Sequence, residues 1–348
     1  MIQLLQSSRM RLASLVCRHV YYSAQVPMPM PDAKAAIKIR ELNGVAELRQ
    51  VQSLEKEVWN LDDIDVLPLT WAVASIEAGA IWLVAFDDNK LAGFAFAFPG
   101  IKDGIVIFHS HQLAVHPEYR DRDVGYKLKL AQRARVMAVP LAEAAPMDMR
   151  LPERRVSSSS PAALQSRVAE ISWTFDPLQS KNAHLNFFKL GVVSDNYKVD
   201  LYGPETSSRL HRNGTDRLWV RWPIRSRRVA GRIGEKEGEK FGKNLRHEIL
   251  DALSVVQPLI LFSGDGRPVR SDIETALRRQ RIAIEIPSDI NSIEQKDPQL
   301  AREWRMATRW AFTESLNAGF HVAEFCRTVR GRQGPGAYLL EKPFVEPQ

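Results

Sequence analysis

The sequence predicts an α/β protein whose first part is a strand-and-helix domain and whose last part is a smaller α+β domain. Segments with the two-residue repeat of strands alternate with segments of helical repeat from Ala36 to Trp222. Residues 225–244 then interrupt the apolar pattern with glycines and charged residues, which is typical of a solvated linker. The length of 348 residues also favours two domains, because a domain usually holds roughly 100–200 residues. We therefore expect domains at 35–224 and 245–348.

The elements of the first domain follow from apolar spacing and from turn residues. We predict strands at 36–40, 81–86, 91–98, 105–115, 169–175, 198–202 and 217–222, and helices at 45–59, 70–77, 124–139 and 180–190. Pro68 separates the first two helices, Asp87–Lys90 forms a tight turn, and Gly191 provides a helix C-cap. Residues 140–167 contain several prolines and the run Ser157–Ser160, so we expect a flexible surface insertion there.

The second domain has the pattern of a scaffold. Strands are predicted at 259–262 and 282–286, followed by an amphipathic helix at Pro298–Ala318 that Gly319 ends. A hairpin formed by residues 322–329 and 338–341 follows. We find no catalytic motif in this region, and a structural role or homodimer formation is the expectation.

Charge and cysteine content bound the partners and the compartment. The net charge of +7 favours anionic partners, such as nucleic acid, a membrane surface or a phosphate-rich cofactor. The charged residues 225–244 lack interleaved aromatic residues, which argues against nucleic acid. Cys17 and Cys326 belong to no CxxC motif, so we expect neither a disulfide framework nor a cysteine zinc site, and a cytoplasmic location.

The first 34 residues have the composition of a leader. They contain three arginines and no acidic residue before Asp32. Three interpretations remain open: a disordered tail, a targeting segment, or a start codon assigned too far upstream. No apolar run reaches about 18 residues, so we predict no membrane-spanning helix and no membrane partner.

The segment from His109 to Leu130 carries the chemistry. A strand ends at Leu113–Val115, a proline turn follows, and a helix begins directly after Gly125. The free amides and positive dipole end of a helix N-terminus form an anion site, and small residues let a pyrophosphate approach the backbone. Three basic side chains would add charge-assisted contacts to phosphate: Arg120, Arg122 and Lys127.

This segment resembles motif A of the GNAT acyltransferases, whose pattern is Gln/Arg-x-x-Gly-x-Gly/Ala. Further phrases are similar to a subgroup of predicted acetyltransferases that carry a C-terminal extension. These phrases are Ser110-His111-x-Leu113-Ala-Val115, Trp173-Thr-Phe-Asp-Pro-Leu178, Asn182-Ala183 and Asp216-Arg217. The resemblance covers residues 36–222 and implies a mixed central sheet that is splayed between its fourth and fifth strands.

The resemblance implies an N-acyltransferase. Its co-substrate would be acetyl-CoA, with succinyl-CoA or a longer acyl-CoA still open, and no metal is expected. A primary amine, first of a small molecule or amino acid and second of a protein, would attack the thioester directly in a ternary complex. The implied cofactor-binding residues are Leu113, Ala114, Val115, Arg120, Asp121, Arg122, Asp123, Val124, Gly125, Tyr126, Lys127 and Asn182.

Two histidines are the candidate base. His109 and His111 lie two apart on a predicted strand, so their side chains should share one face. The pattern resembles that of arylalkylamine N-acetyltransferases, where two histidines act as a base through water, and the ordinary pKa of histidine suits this task. The alternative is a pair of core histidines with structural hydrogen bonds. A metal site is not expected, since no third ligand suggests itself.

Aromatic and acidic residues are candidates for the acceptor pocket. Trp59, Trp71 and Trp173 could line it, and Asp176 could bind the ammonium group of the substrate. The alternative for each tryptophan is core packing. Asp176 could instead cap the following helix.

Two departures from the family pattern favour a second function, that of a catalytically weak or inactive ligand-binding module. Asp123 stands where the family has its first glycine, so it either is held away by Arg120 or Arg122 or repels the pyrophosphate. Phe187 stands where many members have a tyrosine acid. Tyr126 and Tyr197 are the alternative acids, or the thiolate leaves unassisted.

Overall fold

The computed structural model describes residues 36–102, 105–139, 168–203, 206–208, 211–234, 256, 258–329 and 332–343. The predicted leader, the predicted insertion at 140–167 and residues 235–244 of the predicted linker lie outside this part of the chain. Within the described residues, no helix is both long and apolar enough to cross a lipid bilayer.

Twelve strands in the described part of the chain form one sheet. They are β1 Lys38–Glu41, β2 Ile81–Asp87, β3 Lys90–Lys102, β4 Ile105–Val115, β5 Ile171–Phe175, β6 Val193–Lys198, β7 Arg217–Trp222, β8 Pro258–Phe262, β9 Pro268–Arg270, β10 Arg281–Ile286, β11 His321–Val329 and β12 Arg332–Glu341. Their order is β1-β2-β3-β4-β5-β7-β6-β11-β12-β10-β8-β9. The neighbours β4–β5 and β8–β10 run parallel and the others antiparallel, so the predicted α/β fold with a mixed sheet is confirmed.

Eight α-helices accompany the sheet in the described residues. They are α1 Gly44–Trp59, α2 Leu69–Glu77, α3 Val124–Met137, α4 Ser180–Ala183, α5 Arg227–Ile233, α6 Ile273–Leu277, α7 Ile290–Lys296 and α8 Pro298–Asn317. A π-helical segment, His184–Leu190, continues α4 and ends at Gly191, whose φ of +77° fits the predicted C-cap.

Apolar spacing places helices on both faces of the first part of the sheet. Leu48, Val51 and Leu54 recur at helical spacing on α1 and pack with Phe94 and Phe96 of β3. On the opposite face, the buried side of α3 joins the larger hydrophobic cluster. Burying each such leucine or valine stabilises the fold by roughly 1.5–3 kcal/mol.

The sheet is splayed between β4 and β5. The two strands pair at Phe108 with Ile171 and at His109 with Ser172. Beyond these two pairs β5 continues along β7, whereas β4 continues along β3 as far as Val115. One edge of β4 from Ser110 to Val115 therefore faces a V-shaped gap, as the predicted splayed sheet requires.

The C-terminal strands extend the same sheet. Val322 of β11 pairs with Ser194 of β6, and one hydrophobic cluster contains residues of both predicted domains, including Leu128 and Trp304. The described residues from Ile37 onward form one compact unit. The two predicted domains therefore pack against each other in one core. Independent folding of residues 245–348 stays a prediction.

Two sequence interpretations need correction. Residues 227–233 of the predicted linker form α5, because Ser226 accepts a hydrogen bond from the amide of Val229 (3.3 Å) and the side chain of Val229 is buried. The predicted strand at 198–202 is mostly a turn that follows β6. The turn is fixed where the amide of Asp200 donates to Oδ1 of Asp216 (3.0 Å).

Candidate active site

A β-bulge lies where the two histidines stand, at the apex of the gap between β4 and β5. Phe96 of β3 pairs with Gln112 and Ala97 with Ser110, so His111 is the extra residue of the bulge. The ring centroids of His109 and His111 lie 6.2 Å apart, and both rings contact Phe98 at 5.5 and 6.1 Å. The two imidazoles thus lie side by side, as the spacing predicted.

His109 is the more enclosed of the pair. Its ring packs on Trp219 of β7 with centroids 4.9 Å apart, and its Nδ1 lies 3.2 Å from the Ser172 hydroxyl of β5. Burial, with smaller contributions from the charges of His111 and Lys129, lowers the pKa of His109 to about 4. His109 is therefore neutral at pH 7 and a weak base.

His111 has an exposed ring beside Phe96 and Phe98. The protein atoms around it remove part of its hydration, which lowers its pKa below the ordinary value for histidine. It too is neutral at pH 7, and solvent and ligands can reach it. Of the two histidines, His111 has the better access for taking a proton from a substrate.

A buried glutamate next to the pair was not predicted. Glu55 of α1 has 1% of its surface exposed and accepts hydrogen bonds from Gln112 Nε2 (2.5 Å) and from the amide of Leu67. Desolvation raises the pKa of Glu55. The side-chain oxygen of Gln112 has no hydrogen-bond partner among the described residues. The sequence held one sign of this site, because Glu55 is a charged residue among the apolar residues on one face of α1.

Only some of the predicted pocket residues lie near the histidines. Trp71 of α2 is 45% exposed and packs edge-on against Phe96 and Phe98, the rings that contact His111. Trp59 packs against Phe94 at 6.2 Å at the end of α1. Trp173 is buried on the face of β5 opposite Ser172, where it packs edge-on against Trp222 at 5.8 Å. Trp173 is therefore a core residue on the α3 side.

Asp176 has a partner from the C-terminal part of the chain. Both its oxygens accept hydrogen bonds from Arg305 of α8, at 2.9 and 2.8 Å, and Oδ1 also accepts from the amide of Leu178 (2.9 Å). The side chain of Arg305 is 4% exposed. The structure thus places Asp176 in an ion pair with Arg305, while Gln179 is the residue at the N-cap of α4. A contact of Asp176 with a substrate ammonium stays a prediction.

Two loops flank the histidines and touch each other. The loop between α1 and α2 and the loop between β6 and β7 meet where the amide of Asp62 donates to the Ser207 hydroxyl (3.1 Å). The Ser208 hydroxyl also donates to the carbonyl of Trp59 (3.3 Å). The β6–β7 loop reaches β5 through Tyr202, whose hydroxyl lies 3.2 Å from that of Thr174. These contacts join both loops to each other and to β5, the strand whose Ser172 contacts His109.

The N-terminus of α3 lies against the free edge of β4. A Cβ at Gly125 would lie 3.5 Å from Val115 Cγ2 and 3.8 Å from Leu113 Cδ2. The amide of Lys127 donates to the carbonyl of Asp123 (2.9 Å). The amides of the residues just before Lys127 lie in the first turn of α3, where an amide has no acceptor within the helix. The predicted cofactor residues 113–115 and 124–126 are thus brought together.

The turn before α3 adopts the left-handed conformation that favours glycine. Asp121 and Asp123 have φ values of +62° and +56°. Asp123 Oδ1 lies 2.7 Å from Lys189 Nζ, and Asp121 Oδ1 lies 3.5 Å from Lys181 Nζ. Lysines of the following helical segment, and not the predicted arginines, therefore hold both aspartates.

The remaining predicted cofactor residues surround this turn. Arg120, Lys127 and Asn182 are exposed, Arg122 lies over the ring of Tyr119 at 4.9 Å, and Lys189 lies over the ring of Tyr126 at 5.5 Å. This side of the gap combines lysines, arginines and a helix N-terminus, which together suit a phosphate group.

The structure shows the surroundings of Phe187, at the position of the family's acid, and of the alternative acid Tyr197. Phe187 is fully buried against Phe175 and Tyr338. The Tyr197 hydroxyl donates to Asp216 Oδ2 (2.6 Å). Burial, and to a smaller extent the charge of Asp216, raises the pKa of Tyr197 well above its usual value. Tyr126 stays a prediction. Among the described residues, no group of three or more histidine, cysteine and acidic residues is arranged to hold a metal ion.

No protein-family model matches this chain, and no curated protein matches it. Among solved structures it is similar to Arabidopsis thaliana NAA60 in complex with a bisubstrate analogue, with 10% identity, a TM-score of 0.38, and 54% of this chain and 97% of that chain covered. It is also similar to the ribosomal-protein-S18-alanine N-acetyltransferase of Escherichia coli, with 13% identity, a TM-score of 0.35, and 54% and 94% covered.

A third similar structure is an aminoglycoside acetyltransferase from an uncultured soil metagenomic sample, in complex with sisomicin. The identity is 18%, the TM-score is 0.26, and 28% of this chain and 68% of that chain are covered. Because each of these TM-scores lies below 0.5, we derive the function from the geometry of the site.

Proposed function

We propose that this protein is an N-acyltransferase that moves an acyl group, acetyl by default, from acyl-CoA to a primary amine. The acceptor would be a small molecule or an amino acid, and the amine would attack the thioester directly in a ternary complex. The observation that carries this proposal is the gap between β4 and β5. It has a helix N-terminus at one end and a pair of neutral histidines at the other.

The residues present fit coenzyme A. The amides of Val124–Tyr126, with Arg120, Arg122 and Lys127 around them, would hold the pyrophosphate. Unpaired peptide groups of Leu113–Val115 would bind the amides of the pantetheine arm, and the exposed Asn182 would contact the same arm. The bound molecule supplies an activated acyl group as a thioester.

The histidines would accept the proton that the acceptor amine must lose. His111 is exposed, is neutral at pH 7 and lies beside the aromatic side chains of Phe98 and Trp71. His109, hydrogen-bonded to Ser172, would orient a water between the rings. Proton transfer by such a group contributes typically 10²–10⁴-fold to a rate.

The contacts between loops favour a small acceptor over a protein segment. Ser207 and Ser208 join the β6–β7 loop to the α1–α2 loop beside the histidine face. The α1–α2 loop is acidic and exposed at Asp62–Asp65, which attracts an ammonium group. The aromatic wall at Trp71 favours an acceptor with an apolar part.

Calorimetric titration with coenzyme A and acetyl-CoA tests the donor site. We expect both to bind, and Asp123→Gly to bind more tightly, because this change removes a carboxylate next to the phosphates and releases Lys189. Asp265→Gly, in an exposed turn of the C-terminal part, is the matched control and should leave the affinity unchanged. Absence of binding by both the natural chain and Asp123→Gly would refute the proposal.

The second candidate is a ligand-binding module without efficient turnover. The substitution of glycine by Asp123 and the burial of Phe187 favour it. It predicts binding of coenzyme A in Asp123→Gly alone, or binding without thiol release. A thiol-release screen over amines and amino acids separates it from the enzyme.

A further inference from the structure

A lysine amine lies at the apex of the gap between β4 and β5. Ser110 and Trp173 are the first residues of the two strands beyond their last pair, His109 with Ser172. Lys129 of α3 reaches both of them. Its Nζ lies 2.7 Å from the Ser110 hydroxyl and 3.6 Å from the centroid of the Trp173 ring.

Among the residues that the structure describes, this lysine has no acidic partner. It is 2% exposed, and its further hydrogen bond goes to the amide oxygen of Gln132 on the same helix (3.3 Å). No carboxylate of the described residues pairs with Lys129. The titratable group near it on β4 is His109, whose pKa is lowered in part by the charge of Lys129. Burial lowers the pKa of Lys129 well below its usual value.

The geometry of the proposed donor site leads to this amine. From Val115, next to the N-terminus of α3, to Ser110 the free edge of β4 spans five residues, or about 16 Å. A ligand held by its phosphates at α3 and paired along this edge extends towards Ser110. The reactive end of such a ligand comes next to the Lys129 amine.

We propose that Lys129 donates a hydrogen bond to the sulfur of bound coenzyme A and stabilises the thiolate that leaves during acyl transfer. This inference rests on the proposed function. It supplies the group that the buried Phe187 cannot supply. Opposite charges that meet in a poorly hydrated site favour the charged forms of both partners, so thiolate and ammonium stabilise each other.

The step balances as follows in atoms and charge. The acceptor nitrogen forms a bond to the carbonyl carbon, and the carbon–sulfur bond breaks with its electron pair on sulfur. An acceptor that arrives as an ammonium ion releases two protons. Both leave in turn through His111 to water. Lys129 takes up one proton from solvent, so one proton is released overall, and its ammonium pairs with the thiolate.

The test measures the thiol pKa of bound coenzyme A by the ultraviolet absorbance of the thiolate as a function of pH. A free thiol titrates near about 8.5. We expect the thiol bound to the natural chain to titrate at least about one pH unit lower, and the difference to vanish in Lys129→Met. Arg135→Met, which removes an exposed basic side chain from the same helix, should behave like the natural chain.

Each outcome decides. If the bound thiol titrates like free coenzyme A, or if Lys129→Met leaves a lowered pKa unchanged, Lys129 is a structural residue and the inference is wrong, while the proposed function stands. Should Lys129→Met not fold, Lys129→Gln, which keeps a polar end but carries no charge, takes its place, and the same two outcomes decide. Absence of coenzyme A binding refutes the proposed function and this inference with it.

Discussion

His109 and His111 are two residues apart, yet their surroundings differ because of the bulge at His111. His109 continues the ladder, packs on Trp219 and loses much of its hydration. His111 is left out of the ladder, and its ring reaches solvent. The bulge thus gives two neighbouring histidines different access to solvent.

His111→Ala should lower kcat by about 100-fold, because the exposed base is lost. His109→Ala should have a smaller effect. Steady-state thiol release measures both rates, and circular dichroism checks the fold. His321→Ala, on the distant strand β11, is the matched control and should keep full activity. An unchanged rate in His111→Ala would remove the base assignment.

His109 should make stability depend on pH in the acidic range. Its pKa is about 4 in the folded protein and about 6.5 when unfolded, so the folded state binds fewer protons between these values. Stability is lost as pH falls from about 6.5 to about 4, by up to about 3 kcal/mol for this residue. Urea unfolding at several pH values measures the loss, which should shrink in His109→Asn. A curve of equal slope in both proteins contradicts this.

At this scale the sequence predicts residue types better than their surroundings. The histidine pair and the glycine-like position at Asp123 were readable, because local spacing and motif determine them. The partners of Asp123 and Asp176 were not, because Lys189 and Arg305 reach them through tertiary packing. Lys129 and Glu55 lie on apolar faces of helices and show their roles only in three dimensions.

The helix α8 connects the C-terminal part of the chain to the region around the candidate site. Arg305 pairs with Asp176, and Arg309 donates to Asp216 (2.7 Å) and to Asp200 (2.9 Å). These contacts hold the turn after β5 and the ends of the β6–β7 loop. The accessory part therefore supports loops that flank the histidines.

Arg305→Ala should destabilise the protein by about 3–5 kcal/mol, because it leaves the Asp176 carboxylate unpaired in a mostly buried site. The double variant Arg305→Met with Asp176→Asn should cost less than Arg305→Ala alone, since no unpaired charge remains. The free energy of unfolding in urea measures both effects. Equal losses in the two variants would show that packing, and not charge, dominates at this position.

Long periodic elements were predictable, and short ones were not. The apolar spacing of α1, α8 and β4 predicted each within a few residues. The short helices α5 and α6 and the short strand β9 were missed, since they hold too few residues to show a period. The strand β6 was placed too late, because its polar residues hide the alternation.

On the scale of the whole molecule, the described residues from Ile37 onward form one compact unit with one sheet, and the largest hydrophobic cluster spans both predicted domains. A change in composition at residues 225–244 predicted a boundary, but composition does not record that β11 pairs with β6. Pairing between distant strands depends on topology, which local patterns do not contain.

The shared core predicts one cooperative unfolding transition. Differential scanning calorimetry should show a single peak, because separating the C-terminal strands exposes the buried side of α8 and the Arg305–Asp176 pair. Arg305→Ala should move the whole peak to lower temperature. Two well-separated peaks in the natural chain would show that the predicted domains unfold independently.

Two weak joints in the hydrogen-bond ladder of the twelve-stranded sheet flank the strands β5, β7 and β6. β4 and β5 share two residue pairs, and β6 and β11 share one. Lys129 of α3 contacts both β4 and β5 at the first joint, so the packing of α3 contributes to the angle between these two strands. A substitution on the buried side of α3 changes the width of the gap without altering a strand. The size of ligand that the gap admits can thus change through a helix that carries neither of the two histidines.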